Sequence, residues 1–90
     1  MPTAQLNRFL QDALQRHPPP AIHGRRVRVR YMTQAKTRPP TFALFGNQLK
    51  ALPEHYLRYL GNEMRKSFGL EGIPLRFLLR TQKNPFADNQ

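Results

Sequence analysis

The sequence predicts an α+β domain of order α-β-β-α-β, a three-stranded sheet with both helices packed on one face. Three observations carry that prediction. Leu6, Phe9, Leu10, Ala13 and Leu14 recur at helical spacing, and so do Leu57, Leu60, Gly61, Met64 and Phe68. Between these stripes, residues 25–47 read as two strands, a strand-like alternation through Tyr31 and, past a basic turn, the apolar run Thr41–Phe45; alternation returns over Ile73–Arg80. Ninety residues then suit one domain with one core, residues 1–90.

Taken in order, the first helix is expected to open at Thr3, whose hydroxyl suits an N-cap. Asn7, Arg8, Gln11, Asp12 and Gln15 occupy its wet side. Pro18-Pro19-Pro20 cannot continue a helix, so 17–25 reads as a stiff, extended connector. In the strand that follows, Val27, Val29 and Tyr31 point one way while Arg26, Arg28 and Arg30 point the other. A basic turn holds Lys36 and Arg38, Pro39-Pro40 opens the apolar run Thr41–Phe45, and Gly46-Asn47 closes it.

Pro53 falls where a helix favours its first residue, with Glu54 at the positive end. Tyr56 sits on the margin of the second stripe. Gly61 costs about 1 kcal/mol relative to alanine inside a helix, which predicts a close approach to the sheet. Gly69 is the expected left-handed stop. In the last strand Ile73, Leu75, Phe77 and Leu79 share one face, and Arg76, Leu78 and Arg80 the other. The tail, 81–90, has turn residues without periodicity and is expected to fray, with Phe86 suited to tuck back.

Charge is the strongest compositional signal. Fifteen Lys and Arg against five Asp and Glu give +10. Arg25, Arg26, Arg28, Arg30, Lys36, Arg38 and Lys50 all lie between 25 and 50, a stretch without an acidic residue. With Arg26, Arg28, Arg30, Arg76 and Arg80 on the sheet face opposite the helices, the pattern is that of a polyanion binder. RNA is the first reading of that face and an acidic protein surface the second. Tyr31, Phe42 and Phe45 read foremost as core, because alternation must bury one of the two phenylalanines; stacking on bases is the lesser reading.

Other chemistry finds no support in the residues. The chain has no cysteine, and His17, His23 and His55 are dispersed without carboxylates at ligand spacing, so no metal site is expected. No Gly-rich Lys-Ser/Thr loop is present for a nucleotide phosphate, and no catalytic constellation stands out. The expectation is a non-enzymatic domain without cofactor. No apolar run approaches membrane-spanning length, and a cytoplasmic setting is expected.

RRVRVRYMTQAKTRPPTFALFGN, followed by LPEHYLRYL, GIPLRFLLR and KNPF, resembles the C-terminal KH-like domain of the Der (EngA) family, bacterial ribosome-assembly GTPases with two tandem G domains. The resemblance runs from about Thr3 to Phe86, and TRPPTF with its spacing to YLRYL is its most specific part. It implies a module that follows the G domains, packs on them, and contacts ribosomal RNA of the large subunit; GTP would belong to those domains and not to this chain. Met1-Pro2 then reads as an added start. A KH domain grips single-stranded RNA with a GxxG loop. Where that loop should fall, this chain has Gly46-Asn47-Gln48-Leu49, which lacks the second glycine. The literal match, Gly69-Leu70-Glu71-Gly72, reads as a helix cap and turn. Contact through Arg25, Arg26, Arg28, Arg30, Lys36, Arg38, Arg76 and Arg80 to RNA phosphates is the favoured mode, and a purely protein-docking module acting on the G domains is the alternative.

Overall fold

The computed structural model of the chain describes residues 1–81, so the expectations for the rest of the tail, Phe86 among them, lie outside the described residues. Helix α1, Thr3–Arg16, buries Leu6, Phe9, Leu10 and Ala13, four of the five residues of the expected stripe, with Leu14 at its rim. Its start differs from expectation. The Pro2 carbonyl already accepts from the Leu6 N–H at 3.1 Å, so Pro2 is the cap and Thr3 lies inside the helix without a capping hydrogen bond.

Residues 17–25, read as a connector, contain part of a small ribbon. Strand β1, Ala21–Ile22, pairs antiparallel with β2, Arg25–Arg26, across a two-residue turn at His23-Gly24. Both turn residues have positive φ, 52° and 73°, as in the primed turns whose twist suits a hairpin. The main sheet follows in the order β3-β4-β5. Strand β3, Arg28–Lys36, is antiparallel to β4, Thr41–Asn47, and β5, Arg76–Thr81, is parallel to β4 on its other side. A parallel neighbour needs a long crossover, which α2, Glu54–Phe68, supplies after a single 3-10 turn at Leu49–Ala51. Strand β5 begins at Arg76, later than the expected Ile73, and Ile73 is exposed.

Both helices cover one face of the sheet, as the element order α-β-β-α-β with a right-handed crossover predicts. Phe42, Leu44, Met32 and Val29 project toward them and join Leu6, Leu10, Leu60 and Met64 in one core cluster. Asn7, expected on the wet side, is half-buried and grips an edge. Its Oδ1 accepts from the Met32 N–H at 2.8 Å, and its Nδ2 donates to the Met32 carbonyl at 3.0 Å. Strand β3 is an edge strand whose outward backbone groups need partners, and one amide side chain satisfies both at Met32.

Helix α2 is rotated slightly from its expected orientation: Tyr56, placed on the margin by sequence, is fully buried, while Leu57 lies at the rim. Pro53 is the extended cap, one position before the predicted first-residue role. Gly61 is buried, but a Cβ there would sit 3.7 Å from the Phe77 ring and 3.4 Å from the flexible tip of Arg65. That is room for a methyl group, so close packing against the sheet does not require glycine at this position.

The two helices are tied through tyrosines. Tyr56 Oη donates to the His17 carbonyl at 2.6 Å, and Tyr59 Oη to the Ala13 carbonyl at 2.7 Å. Both carbonyls lie at the C-terminal end of α1; that of Ala13 also accepts from the His17 N–H at 3.1 Å, so Tyr59 adds a second bond there. Burial, with the neighbouring Tyr59 adding to it, pushes the Tyr56 phenol up from its ordinary value of 10 to about 12. The folded protein thus holds its proton more tightly than the unfolded chain does. The stabilisation is complete below pH 10 and is lost as pH rises toward 12. Alkaline titration followed by far-UV circular dichroism should show stability falling across that window, and Tyr56→Phe should flatten the fall.

Candidate nucleic-acid interface

The face of the sheet turned away from the helices is built by a bulge. Pairing runs Arg28↔Asn47 and Val29↔Gly46, then resumes at Tyr31↔Phe45 and Met32↔Leu44, so Arg30 is an extra residue on β3. An inserted residue reverses the facing of all that follow it. Val27 and Val29 are buried as expected, but Tyr31 turns outward with Arg28 and Arg30, and Met32 takes the inward place. The predicted core position of Tyr31 is therefore corrected. Between two adjacent apolar residues, the wholly apolar Met32 is buried and the amphipathic tyrosine tolerates water. Of the two phenylalanines, Phe42 is fully buried and Phe45 half-buried on the outer face.

The register then fixes the outer face row by row. Lys36, Thr41 and Arg76 form one row, Thr33, Ala43 and Leu78 the next, and Tyr31, Phe45 and Arg80 a third; Arg28 and Asn47 follow. The rings of Tyr31 and Phe45 stack nearly parallel, 4.6 Å between centroids at 8°. Asn47 Oδ1 accepts from Arg30 Nε at 2.8 Å and holds that guanidinium over the sheet.

Arg28, Arg30, Arg76 and Arg80 thus share the outer face, and all four are exposed. Arg26 does not join them. It stands on the β1–β2 ribbon with Arg25, exposed but off the main sheet, because the chain passes through buried Val27 between ribbon and strand. Lys36 and Arg38 are exposed at the far end, around the turn into β4. Among the described residues the ion pairs are Arg16–Glu63 at 3.3 Å and Lys66–Glu63 at 3.5 Å, both on the helices. No basic residue between 25 and 50, nor Arg76 or Arg80, has a carboxylate partner there.

Sequence reasoning missed the Asn47 anchor and the outward aromatic pair. Both follow from the bulge, and the available signal was the adjacent pair Tyr31-Met32, which a strand cannot bury together. Neither glycine motif forms a phosphate loop. Gly46 is a strand residue paired with Val29, while Gly69 caps α2 and Gly72 belongs to the turn after it, with φ of 67° and 81°. Among the described residues no group of His, Cys, Asp and Glu is placed to hold a metal ion, and no helix is long and apolar enough to cross a membrane.

One helix, an antiparallel pair, a crossover helix and a strand returning parallel to the central one, with a basic outer face, define a KH-like domain. Comparison with known sequences agrees: the family described as KH-domain-like of EngA bacterial GTPase enzymes, C-terminal, matches residues 1–80. The chain belongs to that family, and this domain is not itself the catalytic G domain. It is 57% identical over 88 residues to GTPase Der of Azorhizobium caulinodans, covering 98% of this chain and 19% of that protein. With GTPase Der of Novosphingobium aromaticivorans it shares 58% identity over 87 residues, 97% of this chain and again 19% of the relative. GTPase Der of Parvibaculum lavamentivorans is 49% identical over 90 residues, with the same 19% span of its length.

Proposed function

We propose that this KH-like domain contacts ribosomal RNA of the large subunit through its basic outer face, and serves a Der-type GTPase in large-subunit assembly in the cytoplasm while packing on that protein's G domains. The observation that supports the reading is the outer face itself. Arg28, Arg30, Arg76 and Arg80 stand exposed on a surface that neither helix covers, without carboxylate partners among the described residues. Guanidiniums so arranged neutralise phosphates without reading bases. Arg25 and Arg26 on the ribbon and Lys36 and Arg38 at the opposite turn extend the same charge along the molecule, whose longest extent is 44 Å. GTP is a ligand of the G domains and needs no site here.

A second reading takes the same face as a docking surface for the G domains, with RNA contact secondary. A salt titration separates the two. Binding of a large-subunit RNA fragment at low salt, with log affinity falling against log salt at a slope of about −0.7 per phosphate contacted, supports RNA contact. Absence of RNA binding, with tight co-elution of this chain and a separately made G domain, supports docking alone.

A further inference from the structure

We propose that the Tyr31–Phe45 pair is a stacking platform for an unpaired base, so that the basic outer face takes single-stranded or looped RNA in preference to duplex. The inference rests on the reading of that face as an RNA contact and adds what kind of RNA it holds. Three observations point there. The bulge at Arg30 re-aims Tyr31 from the core to the outer face, leaving it 38% exposed among arginines. Bulges commonly serve to re-aim a side chain beside a functional site. The rings of Tyr31 and Phe45 lie stacked 4.6 Å apart, so they present one preformed aromatic unit.

The third observation is the position of charge around that unit. Tyr31, Phe45 and Arg80 are aligned across three strands, a span of roughly 10 Å at ordinary strand spacing. Arg28 and the Asn47-held Arg30 stand one step further along β3. A strand of RNA whose base stacks on the aromatic pair has guanidiniums on both sides for its flanking phosphates. Phosphate contact alone has no use for an aromatic pair there. A duplex keeps its base faces inside the stack, so the rings reward only an unpaired base. A cross-strand aromatic pair also supports a sheet locally, and the experiment separates that role from base stacking.

The test uses the 90-residue chain with a short fluorescein-labelled oligoadenylate, a blunt RNA duplex of equal length, and the same oligoadenylate carrying one 2-aminopurine. Tyr31→Ala should weaken single-strand binding roughly 5- to 150-fold, the range found for loss of one stacked base, and leave duplex binding unchanged. Tyr31→Phe should retain both. The 2-aminopurine should be quenched by the parent chain and by Tyr31→Phe. Absence of quenching by the parent chain, or equal effects of Tyr31→Ala on single strand and duplex, overturns the platform while leaving the basic face intact as an RNA contact. Failure of the parent chain to bind either RNA at low salt removes the basic-face reading, and the platform with it.

Discussion

Gly46→Ala should cost about 3 kcal/mol of folding stability, by the measure of overpacked sites where the obstructing atoms cannot move aside. A Cβ built on Gly46 collides with the Arg28 carbonyl oxygen and comes within 3.1 Å of the Val29 Cα. Both are backbone atoms of the neighbouring strand, so the clash is relieved only by parting β3 from β4 next to the bulge. A small domain has roughly 5 kcal/mol to lose, and most of its margin would go. Urea unfolding at neutral pH should show a much lower midpoint for Gly46→Ala, and Gly61→Ala, where a methyl fits, serves as the comparison. Equal midpoints for the two variants would refute the claim that Gly46 is set by the approach of β3. The same contact governs the outer face: a parted β3 loses the register that turns Tyr31 outward.

That dependence marks where the sequence was readable and where it was not. The stripes of α1 and α2 and the inward pair Phe77 and Leu79 were legible because each element keeps one period along its length, whereas the apolar run Thr41–Phe45 left open which of Phe42 and Phe45 turns inward. Both helices on one side of the sheet followed from the right-handed strand–helix–strand crossover that this element order implies. The first strand misled because Val27, Val29 and Tyr31 alternate without fault up to the inserted residue. A bulge leaves little local trace; here the traces are Tyr31 beside Met32 and Gly46, the glycine paired with Val29 just before the inserted residue, which by sequence reads only as the close of the apolar run. Arg26 was assigned to the sheet by the same unbroken alternation, though the chain changes from ribbon to strand at Val27. The ribbon itself was hidden by the prolines before it, and His23-Gly24 was the overlooked turn signal. Tyr56 and Leu57 exchanged places because adjacent residues on a helix differ by about 100°, and the stripe alone does not choose between them. Their hydrogen-bond chemistry does: Tyr56 is buried with its hydroxyl delivered to the His17 carbonyl.

For the basic face, the double replacement Arg28→Glu with Arg30→Glu should weaken RNA binding on the order of 100-fold near physiological salt, from two lost charge-assisted contacts and the repulsion that replaces them. Both side chains are exposed, so the fold should remain; the one described hydrogen bond at risk is Arg30 Nε to Asn47 Oδ1. Each replacement changes the charge by two units, and the chain of formal charge +10 becomes +6. A fall in affinity could therefore reflect total charge alone. Arg8→Glu with Arg58→Glu makes the same change at exposed sites on the two helices and isolates that effect. At physiological salt, charges beyond about 8 Å are largely screened, so this second pair should weaken binding only a few-fold. The salt slope should likewise become shallower by roughly 1.4 for the sheet pair, two contacts at about 0.7 each, and change little for the helix pair. Equal losses from both variants would mean that the RNA responds to the overall field of the domain. A selective loss from Arg28 and Arg30 would locate the contact on the face that the bulge, Asn47 and the close approach at Gly46 hold in place.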